Sequence, residues 1–220
     1  MGNGHFEQLA VQIPAGKATL EGNLALPEGC AGVVLFAHGS GSSRYSPRNQ
    51  FVASELFDAG IGSLLIDLLT PDEDMQYDTR FDIALLTQRL AAATAWLRKE
   101  PSTRSLKIGY FGASTGAAAA LQAAAAKGNR IAAVVSRGGR PDLAGEKALA
   151  QVSAPTLLIV GGNDDLVIQL NREAHDRLRC TKELVVVPGA THLFEEPGTL
   201  EDVAKYATLW FRRYFGERLH

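Results

Sequence analysis

Three residues whose types can carry out acyl transfer stand in the second half of the chain, each shortly past an apolar run. They are Ser114 in GASTG (112–116), Asp164 in GGNDDLV (161–167) and His192 in PGATHLF (188–194). A serine hydroxyl is a weak nucleophile until a base takes its proton, and a histidine base needs a third group to orient it. Gly112 and Gly116 flank the serine where SLKIGYF (105–111) hands over to AAAALQAAAA (117–126). On so tight a strand-to-helix turn, bulky residues two positions away on either side would clash, and glycine removes the clash. The helix that begins there aims its first N–H groups at the same spot and favours an anion developing on a substrate. Two blander readings fit the same five residues: a serine that only caps the helix, or a small phosphate-binding turn. The longer glycine patterns of phosphate loops are absent from the sequence.

Of the five histidines, His5 stands near the start, His220 is the last residue, and His175 falls in the polar stretch NREAHDRL. His192 follows a buried strand on the same side of the sheet as Ser114, which makes it the candidate base, with a structural histidine as the alternative. Asp164 and Asp165 both follow the run PTLLIV (155–160), so either could orient it.

The elements that must position these groups are short apolar runs bounded by Gly and Pro. They cover 8–13, 18–26, 32–38, 62–67, 106–111, 131–136, 155–160 and 183–188. The second alternates like a half-buried antiparallel strand, whereas those from 32 onward are almost continuously apolar, as strands covered on both faces are. Between them lie helical stripes, Leu86, Leu90, Ala93 and Leu97, then Leu200, Val203, Ala207, Trp210 and Tyr214. A further helix is expected from Arg48 to Asp58, closed by Gly60, and Thr199 with Asp202 resembles a cap for the last helix. This alternation predicts a doubly wound α/β sandwich, an about eight-stranded, mostly parallel sheet with helices on both faces. The first two strands should pair antiparallel at one edge. No linker or repeat divides the chain, so residues 1–220 are expected to form one domain.

Charge and composition narrow the function. With 22 Lys+Arg against 24 Asp+Glu and a net charge of −2, nothing suggests a nucleic-acid surface. The sequence shows no signal-peptide pattern and no apolar run near the ~18 residues of a membrane span, so a cytoplasmic protein is expected. Cys30 and Cys180 are too few for a disulfide framework, and no cluster has metal-ligand spacing, so neither metal nor organic cofactor is expected.

Serine, acid and histidine in this order, preceded by HGSG (38–41), resemble the α/β-hydrolase fold and within it the dienelactone-hydrolase-like group. The likeness runs from VVLFAHGSGSS (33–43) to PGATHLFEE (188–196). It implies a catalytic triad of Ser114, His192 and Asp164, since the family's acid motif places a valine three residues after the acid, which Val167 matches for Asp164 and not for Asp165. It further implies an oxyanion hole from the backbone N–H groups of Ser40 and Thr115, and a structural role for His38. The family's type enzyme uses cysteine where this chain has serine, so the dienelactone reaction itself is not implied. Only residues 137–154 separate two successive strands where lidded lipases insert a cap, so no lid domain is expected.

Arg44, Arg137 and Arg140 follow strands at the same end of the sheet and could meet a substrate carboxylate or phosphate; the shortlist is Arg44 and Arg140. Loop bracing is the equal alternative, with Asp67 as a possible brace. The expected activity is hydrolysis of small esters or lactones through an acyl-enzyme, and the competing reading is a non-catalytic binding or scaffold protein on the same fold.

Overall fold

The strand-forming runs pair into one sheet in the computed structural model, which describes residues 6–126 and 130–216; His5 and His220 lie outside the described residues. The strands are β1 (Leu9–Ala15), β2 (Ala18–Ala25), β3 (Gly32–Ala37), β4 (Gly62–Ile66), β5 (Lys107–Ala113), β6 (Ala133–Arg137), β7 (Thr156–Gly161) and β8 (Lys182–Val187). Their order is β1-β2-β4-β3-β5-β6-β7-β8. β1 pairs antiparallel with β2, and β2 with β4; every other pair is parallel. β3, β4, β6 and β7 are buried at every position, which is why their sequences are continuous apolar runs and not alternating ones.

The helices are α1 (Pro47–Asp58), α2 (Pro71–Asp74), α3 (Ile83–Leu97), α4 (Thr115–Ala125), α5 (Glu146–Gln151), α6 (Asp165–Arg177) and α7 (Thr199–Phe215). α1 and α7 set Val52, Leu56, Val203, Ala207, Trp210 and Phe211 against Phe36, Phe111 and Val135 on one face. The stripe Leu86, Leu90, Ala93 and Leu97 of α3, with the small residues of α4, covers Leu35, Leu64, Tyr110 and Val134 on the other.

Helix α1 starts as capping chemistry dictates: the Ser46 hydroxyl accepts the Asn49 N–H, Pro47 occupies the first turn, and Gly60 follows the helix at φ +80°. The last helix departs from the expected Thr199–Asp202 cap. Its N-cap is Gly198 at φ +84°, a left-handed turn that places Thr199 already inside the helix, where its hydroxyl donates to the Glu196 carbonyl. Thr70 and Glu73 form a capping box around α2, a signal readable in TPDE.

Strand order explains where a site can open. β4 lies on one side of β3 and β5 on the other, so the connections leaving β3 and β5 diverge above their carboxyl ends. Between β6 and β7 stand only a 3-10 turn (Pro141–Ala144) and α5, nothing of lid size. Among the described residues no helix is long and apolar enough to cross a membrane.

Candidate active site

β5 runs straight into the turn at Ser114, whose backbone sits at φ +50°, ψ −122°. A non-glycine residue held there costs on the order of 1–3 kcal/mol, and packing must impose it. A Cβ on Gly116 would stand 2.1 Å from the Ala37 carbonyl oxygen, and one on Gly112 would stand 2.5 Å from Ala117 Cα. Both glycines therefore let backbone meet backbone around the serine. The turn is pinned to the next strand as well: Ser114 N–H donates to the Arg137 carbonyl (3.4 Å) and Arg140 N–H donates to the Ser114 carbonyl (3.0 Å). Although Ser114 occupies the N-cap position of α4, its hydroxyl makes no capping bond, which removes the helix-cap reading.

The loops after β7 and β8 approach each other so closely that a Cβ on Gly161 would lie 2.5 Å from the Ala190 carbonyl. Asn163 N–H donates to that same carbonyl at 2.9 Å. This brings His192 Nδ1 to 2.7 Å from Asp164 Oδ2. An ionised carboxylate only accepts, so the pairing puts the ring proton on Nδ1 and leaves Nε2 free to accept. Asp165 is the exposed first residue of α6, and among the described residues it makes no hydrogen bond or ion pair with His192. Thr191 N–H donates to Glu196 and holds that carboxyl below its usual range, bracing the histidine loop.

Ser114 and His192 share a neighbour in the 137–140 segment: a Cβ on Gly138 would lie 3.0 Å from the His192 carbonyl oxygen and 3.6 Å from its Cε1. Among the described residues no hydrogen bond joins Ser114 Oγ to the ring. Such bonds commonly tighten only when substrate is bound.

The loop after β3 closes on the serine, with a Gly39 Cβ position 3.0 Å from Ser114 Cβ. Its Ser40 N–H donates to Thr115 Oγ1 at 3.0 Å, so the Thr115 side chain has a part that the sequence does not reveal. His38 is structural. Its Nε2 accepts the Leu68 N–H at 3.0 Å, so Nδ1 is the donor to the Gly39 carbonyl at 2.8 Å. Burial pushes its pKa below the usual 6.5, with the Gly39 contact working the other way. His175, on α6, lies 3.7 Å from Asp176.

The shortlisted arginines are both matched by the protein's own carboxylates. Arg44 is held by Asp67 and Glu21 and stacks on Tyr45 with 4.4 Å from Cζ to the ring centroid. It fastens the loop after β3 to the middle of β2 and to the residue that follows β4, with Asp67 as the brace. Arg140 forks onto both oxygens of Asp142 at 2.9 and 2.8 Å. A cavity of about 740 Å³ opens at the opposite end of the sheet, around Lys107, Ile108 and Arg130, away from Ser114.

The sequence model of the Dienelactone hydrolase family matches residues 21–215. A dienelactone hydrolase from Anabaena variabilis has the same fold with a TM-score of 0.92 and 55% identity, over 96% of this chain and 99% of that one. Est1E from Butyrivibrio proteoclasticus shares the fold at a TM-score of 0.79 and 16% identity, over 93% and 98% of the two chains. A Mycobacterium tuberculosis protein named as a candidate phosphoribosyl transferase is 58% identical over 201 residues, 91% of this chain. This chain spans only 45% of that relative's length. From the extent of the family match and the 55% identity to a solved dienelactone hydrolase, the chain belongs to the dienelactone hydrolase family.

Proposed function

We propose that this chain is a single-domain serine hydrolase of small esters or lactones, working through an acyl-enzyme on Ser114. The observation that carries the reading is the 2.7 Å contact of His192 with Asp164, on a loop that meets Gly138, while Arg137 and Arg140 of the same segment are hydrogen-bonded to a strained serine whose hydroxyl makes no capping bond. Ser114 Oγ attacks the carbonyl carbon while His192 Nε2 takes its proton, and Asp164 accepts the Nδ1–H and stabilises the imidazolium. The oxyanion draws the amides of Ser40 and Thr115; for Ser40 this means exchanging the Thr115 hydroxyl for the substrate oxygen. The alcohol leaves with the proton from His192, and water, activated by the same ring, releases the acid. No step calls for a metal or an organic cofactor.

The transferase name belongs to a protein of which this chain spans only 45%, whereas the hydrolase family model covers residues 21–215 of this chain. A non-catalytic scaffold remains the reading to beat. A fluorophosphonate probe separates the two: covalent labelling at Ser114 that disappears in Ser114→Ala supports the enzyme, and an unlabelled folded protein supports the scaffold. A screen of p-nitrophenyl and lactone esters against both proteins then sets the acyl preference.

A further inference from the structure

We propose that Arg137 and Arg48 form an anion subsite beneath the His192 loop, one that takes the carboxylate or phosphate group of a substrate. Arg137 is the last residue of β6, in register with Ala113 and Ile159, and its carbonyl accepts the N–H of Ser114. Together with Ala133 and Val135 it lies on the face that α1 and α7 cover. It is only 7% exposed.

What sets Arg137 apart is the lack of any partner for its charge. Arg89, equally buried, is matched by Glu73 and the Ala15 carbonyl, and Arg44 by Asp67 and Glu21. Among the described residues Arg137 makes no side-chain hydrogen bond and no ion pair, and its Nε is sealed from solvent without an acceptor. Its neighbours are the Phe194 ring, with Cζ 5.9 Å from the centroid, and a second cation, Arg48. Burial and then repulsion from Arg48 lower its pKa to about 10, which still leaves it charged at neutral pH.

An unpaired buried cation is costly, and the cost is removed by whatever brings it acceptors. Arg48, from α1, contributes a second Nε that is buried without an acceptor, while its Nη1 reaches outward to Glu195 at 3.1 Å. Phe194, 1% exposed and at φ +56°, keeps its ring over Arg137 from a backbone conformation that side chains rarely adopt. Two guanidinium groups close enough to repel each other suit the oxygens of one carboxylate or phosphate placed between them, through paired hydrogen bonds. The site adjoins the segments that carry Ser114 and His192, through the Arg137 carbonyl that accepts the Ser114 N–H and through Phe194, two residues past His192, so an anion bound there belongs to a substrate of the same centre.

That last step rests on the esterase reading, whereas the binding does not. Calorimetric titration of Ser114→Ala with inorganic phosphate and with succinate tests binding apart from turnover. At least one anion should bind, with affinity lowered about tenfold or more when Arg137→Met is added and lowered also by Arg48→Gln. In anion-free buffer Arg137→Met should melt no lower than its parent, because it removes an unpaired charge, and phosphate should raise the parent's melting temperature and not the variant's. With active protein, Arg48→Gln should lower the preference for the p-nitrophenyl hemiester of succinate over p-nitrophenyl butyrate. Tighter phosphate binding identifies a phosphorylated substrate, tighter succinate binding a carboxylated one. If neither anion binds Ser114→Ala, or binding survives both arginine changes, the subsite is refuted. Anion binding to a protein that cleaves no ester would refute the esterase reading and leave the subsite standing.

Discussion

Thr115 Oγ1 accepts the N–H of Ser40, joining at 3.0 Å two residues 75 positions apart on the loops that face each other after β3 and β5. The amide is thus satisfied before substrate arrives and is held in place by a neutral acceptor, a weaker attraction than a developing oxyanion exerts. Thr115→Val keeps the shape and removes the acceptor. We expect kcat to fall about five- to tenfold, the worth of one hydrogen bond of ~1 kcal/mol, with KM little changed and Thr115→Ser restoring the rate. Equal rates in Val and Ser variants would show that the hydroxyl positions nothing.

Asp164→Asn should cut kcat by roughly 10²–10⁴, because an amide does not stabilise the imidazolium and can favour the wrong tautomer. Asp165→Asn, on an exposed residue, should leave kcat within about twofold, as surface substitutions generally do. Steady-state kinetics on one p-nitrophenyl ester decides it; the opposite ranking would move the acid by one residue.

Gly116→Ala should be far more damaging than its single methyl suggests. The added carbon would meet the Ala37 and His38 carbonyl oxygens at 2.1 and 2.5 Å, and these are backbone atoms of β3 and its loop. Overpacking of this kind costs about 1–3 kcal/mol or more. Urea denaturation should show that loss, and turnover should fall with it because the loop after β3 is pushed off the serine. A variant of native stability and rate would mean that the strand and the helix separate freely.

His38 gives stability an acid limb. Its folded-state pKa lies below the unfolded value of 6.5, so its contribution is complete above that pH. It is lost as pH falls from 6.5 through the folded value, since protonation of Nε2 removes the acceptor of the Leu68 N–H. Melting temperatures measured from pH 7.5 to 5 should decline more steeply for the wild type than for His38→Gln. Parallel declines would assign the acid limb to other groups.

Much of this was legible because it depends on local chemistry. The continuous apolar runs report burial on both faces for β3, β4, β6 and β7, though not for ELVVVP, whose strand β8 has a neighbour on one side only and buries Val187 alone; the glycines around Ser114 report a backbone with no room for Cβ. The ends of elements were less legible. The Thr199–Asp202 spacing suggests a cap, yet the left-handed turn at Gly198 decides the helix start. Charge partners were the least legible, because they are chosen across the fold: Arg44, in a loop, finds Glu21 on β2, and Arg137, which also follows an apolar run, finds no carboxylate among the described residues. No local pattern encodes that difference.

β8 is an edge strand with β7 as its one neighbour, and only its last residue, Val187, is buried. The serine and the loop after β3 follow strands supported from both sides, while His192 is carried by the loop that follows this edge strand. Native proteins open first where backbone hydrogen bonds are exposed and apolar contacts are few. Amide hydrogens from 182 to 194 should therefore exchange sooner than those of β5, and warming should silence turnover several degrees before the sheet melts, reversibly on cooling. The temperature ceiling of the activity would then belong to one strand, to be raised by reinforcing that edge and not the core.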